Sequence, residues 1–204
     1  MRRLFLAVAI RKLTMGCLDA LHPHRLDEPS TFVPCEFRVK WAATSWEREQ
    51  AFALRRAVFC IEQGVFVGDD RDAIDEHAQT LVALSCVGGT YDQVVGTVRI
   101  HAAGSGLWWG SRLAVHAALR HHGRIGATLI RLAVTSAQRE GCTRFLAHVQ
   151  SQNVPMFERL HWHSLETEML HGRPHCRMQA DLAHYPPCGD PFTGYVTRSA
   201  GASA

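Results

Sequence analysis

The run Ser111-Arg-Leu-Ala-Val-His-Ala-Ala-Leu-Arg120-His-His-Gly123-Arg-Ile-Gly126-Ala-Thr-Leu-Ile130 gathers residue types suited to holding a multiply charged anion. The pattern predicts a strand ending in Leu113-Ala114-Val115, then a loop carrying Arg120, His121, His122 and Arg124. Gly123 and Gly126, the latter flanked by Ile125 and Ala127, introduce a helix. The first N–H groups of a helix have no intrahelical acceptor and lie at the positive end of its dipole. Glycines let a bulky anion reach that backbone, so the segment reads as a pyrophosphate-binding turn. A capped, solvated helix start would use the same residues, and spacing alone leaves both readings open. Gly123-x-x-Gly126 lacks the GxGxxG spacing of a dinucleotide turn, and no Gly-Lys-Ser/Thr follows to make a P-loop.

Other candidate ligands are less ordered. Thirteen histidines include the short-range pairs His121-His122, His161-x-His163 and His171-x3-His175. None has the cysteine or carboxylate company of a zinc site, so no metal is expected. Seven cysteines, an odd number with no CxxC spacing, fit reduced thiols better than a disulfide framework. A net charge of +3 over 204 residues gives no general case for nucleic-acid binding.

The surrounding elements must position the anion-binding turn. Phe37, Val39 and Trp41 alternate with charged residues as in a strand. Thr44 and Glu47 form a capping box ahead of a helix that places Ala51, Leu54, Val58 and Ile61 on one face, closed by Gly64. Leu81–Val87 and Val94–His101 make a hairpin around Gly88-Gly89 and Tyr91-Asp92. Gly104–Gly106 turns into a strand over Leu107–Val115. A helix follows over Gly126–Glu140 with Gly141 as its C-terminal cap, then a strand over Thr143–Gln150 and a short helix over Val154–His161 opened by Pro155. Strands over Ser164–Met169 and His175–Ala183 complete a β-α-β-β-β-α-β-α-β-β order. This is an α/β fold with a mixed central sheet and a parallel crossover at 107–150. Residues 1–35 read as a flexible leader, 36–185 as the domain and 186–204 as a flexible tail. The apolar run Leu4–Ile10 is short and is interrupted by Arg11-Lys12 with no small-residue cleavage site after it. It is also far too short to span a membrane, so a cytoplasmic protein is expected, starting at Met1 or Met15.

Taken together, these segments resemble the GNAT superfamily of N-acetyltransferases. The stretch Ser111–Ile130 is similar to its motif A, whose usual form is Arg/Gln-x-x-Gly-x-Gly/Ala after a strand ending Leu-x-Val. Leu54–Phe66 resembles the first-helix signature of the ElaA-like branch, and Val94–Arg99 the strand that precedes motif A. Gln150–Trp162 is similar to the second cofactor helix, and Gly172–Met178 to the closing strand. The runs Cys60–Phe66 and Ile125–Val134 further resemble a group of bacterial acetyltransferases encoded beside a nitrilase. Two departures stand out. Aligned on Gly126, the usual middle glycine is Arg124 and the usual Arg/Gln is His121; aligned on Arg120 and Gly123, the loop is one residue too long. Phe157 stands where many members carry a tyrosine that protonates the departing thiolate.

The resemblance implies a GNAT-like acyl-CoA N-acyltransferase fold, with the sheet splayed after residue 113 and helices on both faces. It implies acetyl transfer from acetyl-CoA to a small-molecule amine by direct attack. Leu113, Ala114 and Val115 would pair with the pantetheine arm, Arg120–Ala127 would hold the pyrophosphate, and Asn153 would add a contact. Glu62, Glu76, His77 and His101 are general-base candidates, with Glu62 and Glu76 first. Acceptor specificity would rest on loops around 62–77 and 101–110. Two other readings share the resemblance: an acyltransferase with a longer donor, as in acyl-homoserine lactone synthases, and a non-catalytic acyl-CoA sensor, which Phe157 favours. A sheet edge also offers a route to a homodimer.

Overall fold

In the computed structural model, the described residues are Pro34, 36–87, 89–120 and 124–198. The expected leader, apart from Pro34, lies outside them, as do His121, His122 and Gly123. Strand β1 (Glu36–Trp41) buries Phe37 and Val39 completely. Helix α1 (Ser45–Arg55) opens on the expected capping box: the Thr44 hydroxyl accepts from the Glu47 N–H, and the Glu47 carboxylate accepts from the Thr44 N–H. The helix then widens into a π-helical stretch, Arg56–Glu62, in which the Gln63 N–H reaches back to the Val58 carbonyl. The extra residue per turn rotates the chain. Val58 and Phe59 stay buried, whereas Ile61, expected on the buried face, is 76% exposed.

Strands β2 (Gln79–Val87) and β3 (Thr90–Gly104) form the hairpin with Val87 opposite Thr90. Tyr91 and Asp92 therefore belong to β3 and not to the turn, because the connection closes in fewer residues than their composition suggested. Strand β4 (Leu107–Val115), helix α2 (Ile125–Arg139) and strand β5 (Arg144–Gln150) make the parallel crossover. Gly141 caps α2 at φ +85°, as its position predicted. Helix α3 (Val154–Glu158) stops three residues short of the expected end, where His161 takes a positive φ of 61° and turns the chain into strand β6 (Trp162–Leu170). Strand β7 (Arg173–Ala180) follows.

The expected flexible tail is partly a strand. Strand β8 (Tyr195–Arg198) pairs antiparallel with β1. The Trp41 N–H donates to the Pro191 carbonyl, and Phe192 packs edge-on against Trp41 with ring centroids 5.5 Å apart. Gly194, at φ +61°, lies so close to the Val39 carbonyl that any Cβ would clash. A four-residue edge strand has too few alternations to show in a Gly- and Pro-rich sequence, which is why the pattern missed it.

The strands form one eight-stranded sheet in the order β6-β7-β5-β4-β3-β2-β1-β8, parallel only between β4 and β5. One face packs on α2, where Leu129, Leu132, Val134 and Ala137 are fully buried, and the other on α1. Among the described residues, no helix is long and apolar enough to cross a membrane.

Candidate active site

The site begins where two parallel strands part. β4 and β5 pair from Leu107–Arg144 to Gly110–Ala147 and no further. The separation starts three residues before the expected position 113. Just beyond it, β4 carries a bulge: between the pairs Thr97–Ala114 and Arg99–Ser111, residues Arg112 and Leu113 stand opposite Val98 alone. Arg112 sits at the bulge with φ 56°. The bulge bends β4 away, and the edge of β4 from Ser111 onward has no strand on the β5 side. A cavity of about 660 Å³ opens through this gap, within the roughly 300–1,000 Å³ range of small-molecule sites.

On the α1 side the wall is polar and braced by buried charges. Arg55 (1% exposed) donates to Asp70 and Asp75; Arg99 (2% exposed) donates to Asp72 and to the Ser111 hydroxyl; Arg112 donates to Asp70 and Asp72. Three guanidinium groups thus face three carboxylates, so the wall is neutral as a whole. Burial raises the Asp75 carboxyl, but Arg55, the Asp72 backbone N–H and Arg99 outweigh it and hold the group well below the usual carboxylate range. Asp72 is lowered in the same way, against burial, chiefly by Arg99. The network ties the loop 69–76 to α1, β3 and β4. Sequence reasoning missed it, although Asp69, Asp70, Asp72 and Asp75 within seven residues were a signal that cations must lie nearby.

Of the general-base candidates, only His101 lines the cavity. Its pKa is lowered by burial first, then by Arg99 and His77, whose ring stands edge-on 6.0 Å away. A neutral imidazole at pH 7 follows, able to accept a proton. Glu62 points elsewhere: its carboxylate takes both arms of Arg120 at 2.6 Å, and this hydrogen bonding lowers its pKa. Glu76 and His77 lie exposed on the turn Ala73–Glu76 and just after it. Phe157 lines the cavity with its ring edge-on to Trp162, 5.1 Å between centroids. The phenol of Tyr185 is bound instead to Trp162 Nε1 and the Leu160 carbonyl, away from the cavity.

The candidate anion site is partly described. Arg124 precedes α2 with no side-chain cap, and the first intrahelical bond runs from the Thr128 N–H to the Arg124 carbonyl. The N–H groups of Ile125, Gly126 and Ala127 therefore have no acceptor within the helix. Among the described residues, no side chain caps this start. Arg120 Nε donates to the Val115 carbonyl, which joins the loop to the end of β4. Ile125 is buried over Gly96, where a Cβ would come within 2.9 Å of it. Leu113 and Asn153 line the cavity; Ala114 is buried toward α1, and Val115 packs against the core beside Gly126. Among the described residues, no group of three or more histidine, cysteine, aspartate or glutamate side chains is arranged to hold a metal ion.

The model of the acetyltransferase (GNAT) family matches residues 35–162, more than half of the sequence and the whole span that forms the splay. The chain belongs to the GNAT acetyltransferase family. No curated protein sequence matches it significantly. Among solved structures it is similar to a candidate N-acetyltransferase from Lactobacillus plantarum, with 22% identity over 71% of this chain and 97% of the other, at a TM-score of 0.63. It is also similar to Escherichia coli ElaA, with 17% identity over 72% and 99% of the two chains at 0.60. A third is a CoA-dependent acyl-homoserine lactone synthase, BjaI, with 16% identity over 70% and 82% at 0.57. These likenesses establish the GNAT fold, and the family assignment makes the chain an acyltransferase by kinship.

Proposed function

We propose that this GNAT protein transfers an acyl group from a CoA thioester to the amine of a small molecule, acetyl-CoA being the minimal donor. One observation carries the reading: the edge of β4 left unpaired beyond Gly110 opens on a cavity lined by Leu113 and Asn153. The N–H groups of residues 125–127, with Arg120, His121, His122, Gly123 and Arg124, would hold the pyrophosphate. The free edge of β4 at Leu113–Val115 would pair with the pantetheine amides as an added strand does, and Asn153 would contact the same arm.

The acceptor amine would then reach the thioester from the polar side. Its nitrogen attacks the carbonyl carbon, the oxyanion is met by backbone N–H groups at the β4 bulge, and the carbon–sulfur bond breaks. His101 is the base that takes the ammonium proton, being the one candidate that lines the cavity. Phe157 has no proton to give, so the thiolate takes its proton from water. The chain would act in the cytoplasm as an ElaA-like enzyme, and the runs Cys60–Phe66 and Ile125–Val134 support the narrower kinship with acetyltransferases encoded beside a nitrilase.

The test has two stages. CoA and acetyl-CoA should each raise the melting temperature, by the mass-action stabilisation of a ligand that binds only the folded chain. No shift with either removes the cofactor reading. Thiol release from acetyl-CoA with a panel of small amines should then identify turnover. Binding without release for every amine would favour the sensor reading, to which Phe157 points.

A further inference from the structure

The α1 end of the cavity holds cationic hydrogen-bond donors to spare and, among the described residues, no free anion to match them. The arginines and aspartates that line it are Arg71, Asp72, Arg99 and Arg112. Asp72 is saturated: its Oδ1 accepts from Arg99 Nη1 and the Ile74 N–H, its Oδ2 from Arg99 Nη2 and Arg112 Nη2. Arg99 is saturated too, since its Nε goes to the Ser111 hydroxyl. Arg112 is not. Its Nε and Nη2 reach the Asp70 carbonyl and Asp72, but its Nη1 donates to no described residue. Arg71 likewise donates no hydrogen bond to a described residue; its Nε stands 3.5 Å from Asp69 Oδ2, and its guanidinium lies 3.9 Å over the Phe52 ring. Asp70 and Asp75 balance the charge from behind and do not line the cavity. The wall is neutral in sum yet presents its cations inward.

We propose that the acceptor is an α-amino acid with an apolar side chain, its carboxylate held by Arg112 and Arg71. The proposal rests on the acyl-transfer reading above and names the substrate of that same site. A guanidinium gives a carboxylate planar, charge-assisted hydrogen bonds, stronger than those to a neutral group. An amine without an anion would strip water from the spare donors and return nothing. Arg112 stands at the β4 bulge, where that reading puts the oxyanion. A carboxylate bound there lies beside the attacking nitrogen, which selects one on the α-carbon over one at the far end of the molecule. Two features hold Arg112 in place. Its φ of 56° is strained for arginine, a cost that persists where the surrounding structure fixes it and that clusters at ligand sites. The Phe66 ring lies 4.5 Å from its Cζ and sets the guanidinium plane. Phe59, Val65, Phe66 and Ile74 line the same end, an apolar surface that suits an aliphatic or aromatic side chain and leaves a second charge without a partner.

The experiment is calorimetric titration of the CoA-loaded full chain with two isosteric pairs, leucine against leucinamide and phenylalanine against phenylalaninamide. Each pair differs in the carboxylate alone. The amino acid should bind at least about tenfold tighter than its amide, as a charge-assisted hydrogen bond requires. Arg112→Lys keeps the charge but removes the spare Nη1 donor, and should narrow that ratio. Arg112 belongs to the buried network, so Arg71→Gln is the second variant. That side chain is 53% exposed, its loss leaves the fold in place, and the ratio should narrow again. Equal or tighter binding of the amides, no binding of either pair, or a ratio untouched by both substitutions would overturn the proposal and spare the CoA reading. If CoA itself does not bind, the CoA reading falls, and the same pairs titrated against the free chain still decide the carboxylate subsite by the same ratio.

Discussion

Asp70 is the residue whose loss should be felt most through the wall of the site. Its carboxylate is fully buried; Oδ2 accepts from Arg55 at 2.8 Å and lies 2.9 Å from Arg112 Nε in an ion pair. Its backbone carbonyl takes a further hydrogen bond from each. Asp70→Asn keeps the shape but turns three charges against three into three against two. Asp70 Oδ1 has no hydrogen-bond partner among the described residues, so the asparagine can keep its amide oxygen toward the guanidinium groups, but its NH2 is then buried without an acceptor. Arg55 would keep Asp75, while Arg112, whose pKa burial already lowers, would keep only the half-exposed Asp72. Breaking a buried ion pair from one side costs about 3–5 kcal/mol. For a domain of this size, each kcal/mol moves the melting temperature by roughly 2–4 °C, so a fall of about 6–20 °C is expected. Urea unfolding at neutral pH, with the slope unchanged, measures the same loss directly. Asp69→Asn is the matched control, since its side chain is 54% exposed and its turn hydrogen bonds suit an amide oxygen equally well. It should shift stability by less than about 0.5 kcal/mol. An Asp70→Asn variant within about 1 kcal/mol of wild type would refute the claim that this network holds the wall.

The same network fixes the response to acid. Asp75 and Asp72 have folded pKa values below their ordinary 3.8, so the unfolded chain binds more protons. The stability they contribute is therefore complete above about pH 4 and is lost as pH falls further; urea midpoints at about pH 5 and about pH 3 check this. His101→Gln should lower amine-dependent thiol release by about 10²–10⁴. The wild-type acid limb should have its inflection below 6.5, because the folded pKa is depressed, and that limb should vanish in the variant. Unchanged turnover would assign the base elsewhere. Glu62→Gln frees Arg120 for phosphate, and since the broken pair is exposed, worth up to about 1 kcal/mol, CoA should bind up to about fivefold tighter. Arg120→Ala should weaken CoA binding, more at low salt than at high; titration calorimetry reads both.

The long elements were legible because each repeats its signal. β4 was read to the residue, α2 to within one at each end, and the parallel crossover followed from their order. What escaped was local or relational. A π turn adds one residue without leaving a mark in the apolar pattern, and so Ile61 was placed on the wrong face. β8 is too short for a period to appear. The splay was placed three residues late because a bulge depends on which residues face each other across β3, and register is not written in one strand. The proposed anion-binding turn was visible as residue types, but spacing alone does not separate it from an ordinary helix start. For the base, Glu62 and Glu76 were favoured by lying near the ends of elements. Direction separates them: Arg120 binds Glu62, Glu76 is exposed, and His101 alone among the candidates lines the cavity. The charged wall left Asp70, Asp72 and Asp75 as its trace, but the arginines that neutralise them come from 15 to 42 positions away.

A crystal structure of the chain with CoA bound tests the central claim most directly. The account predicts the pantetheine arm between β4 and β5 beyond Gly110, its amides paired with the backbone of Leu113–Val115. It places the pyrophosphate on the N–H groups of residues 125–127. CoA seated anywhere else, or a splay left empty at saturating CoA, would contradict it.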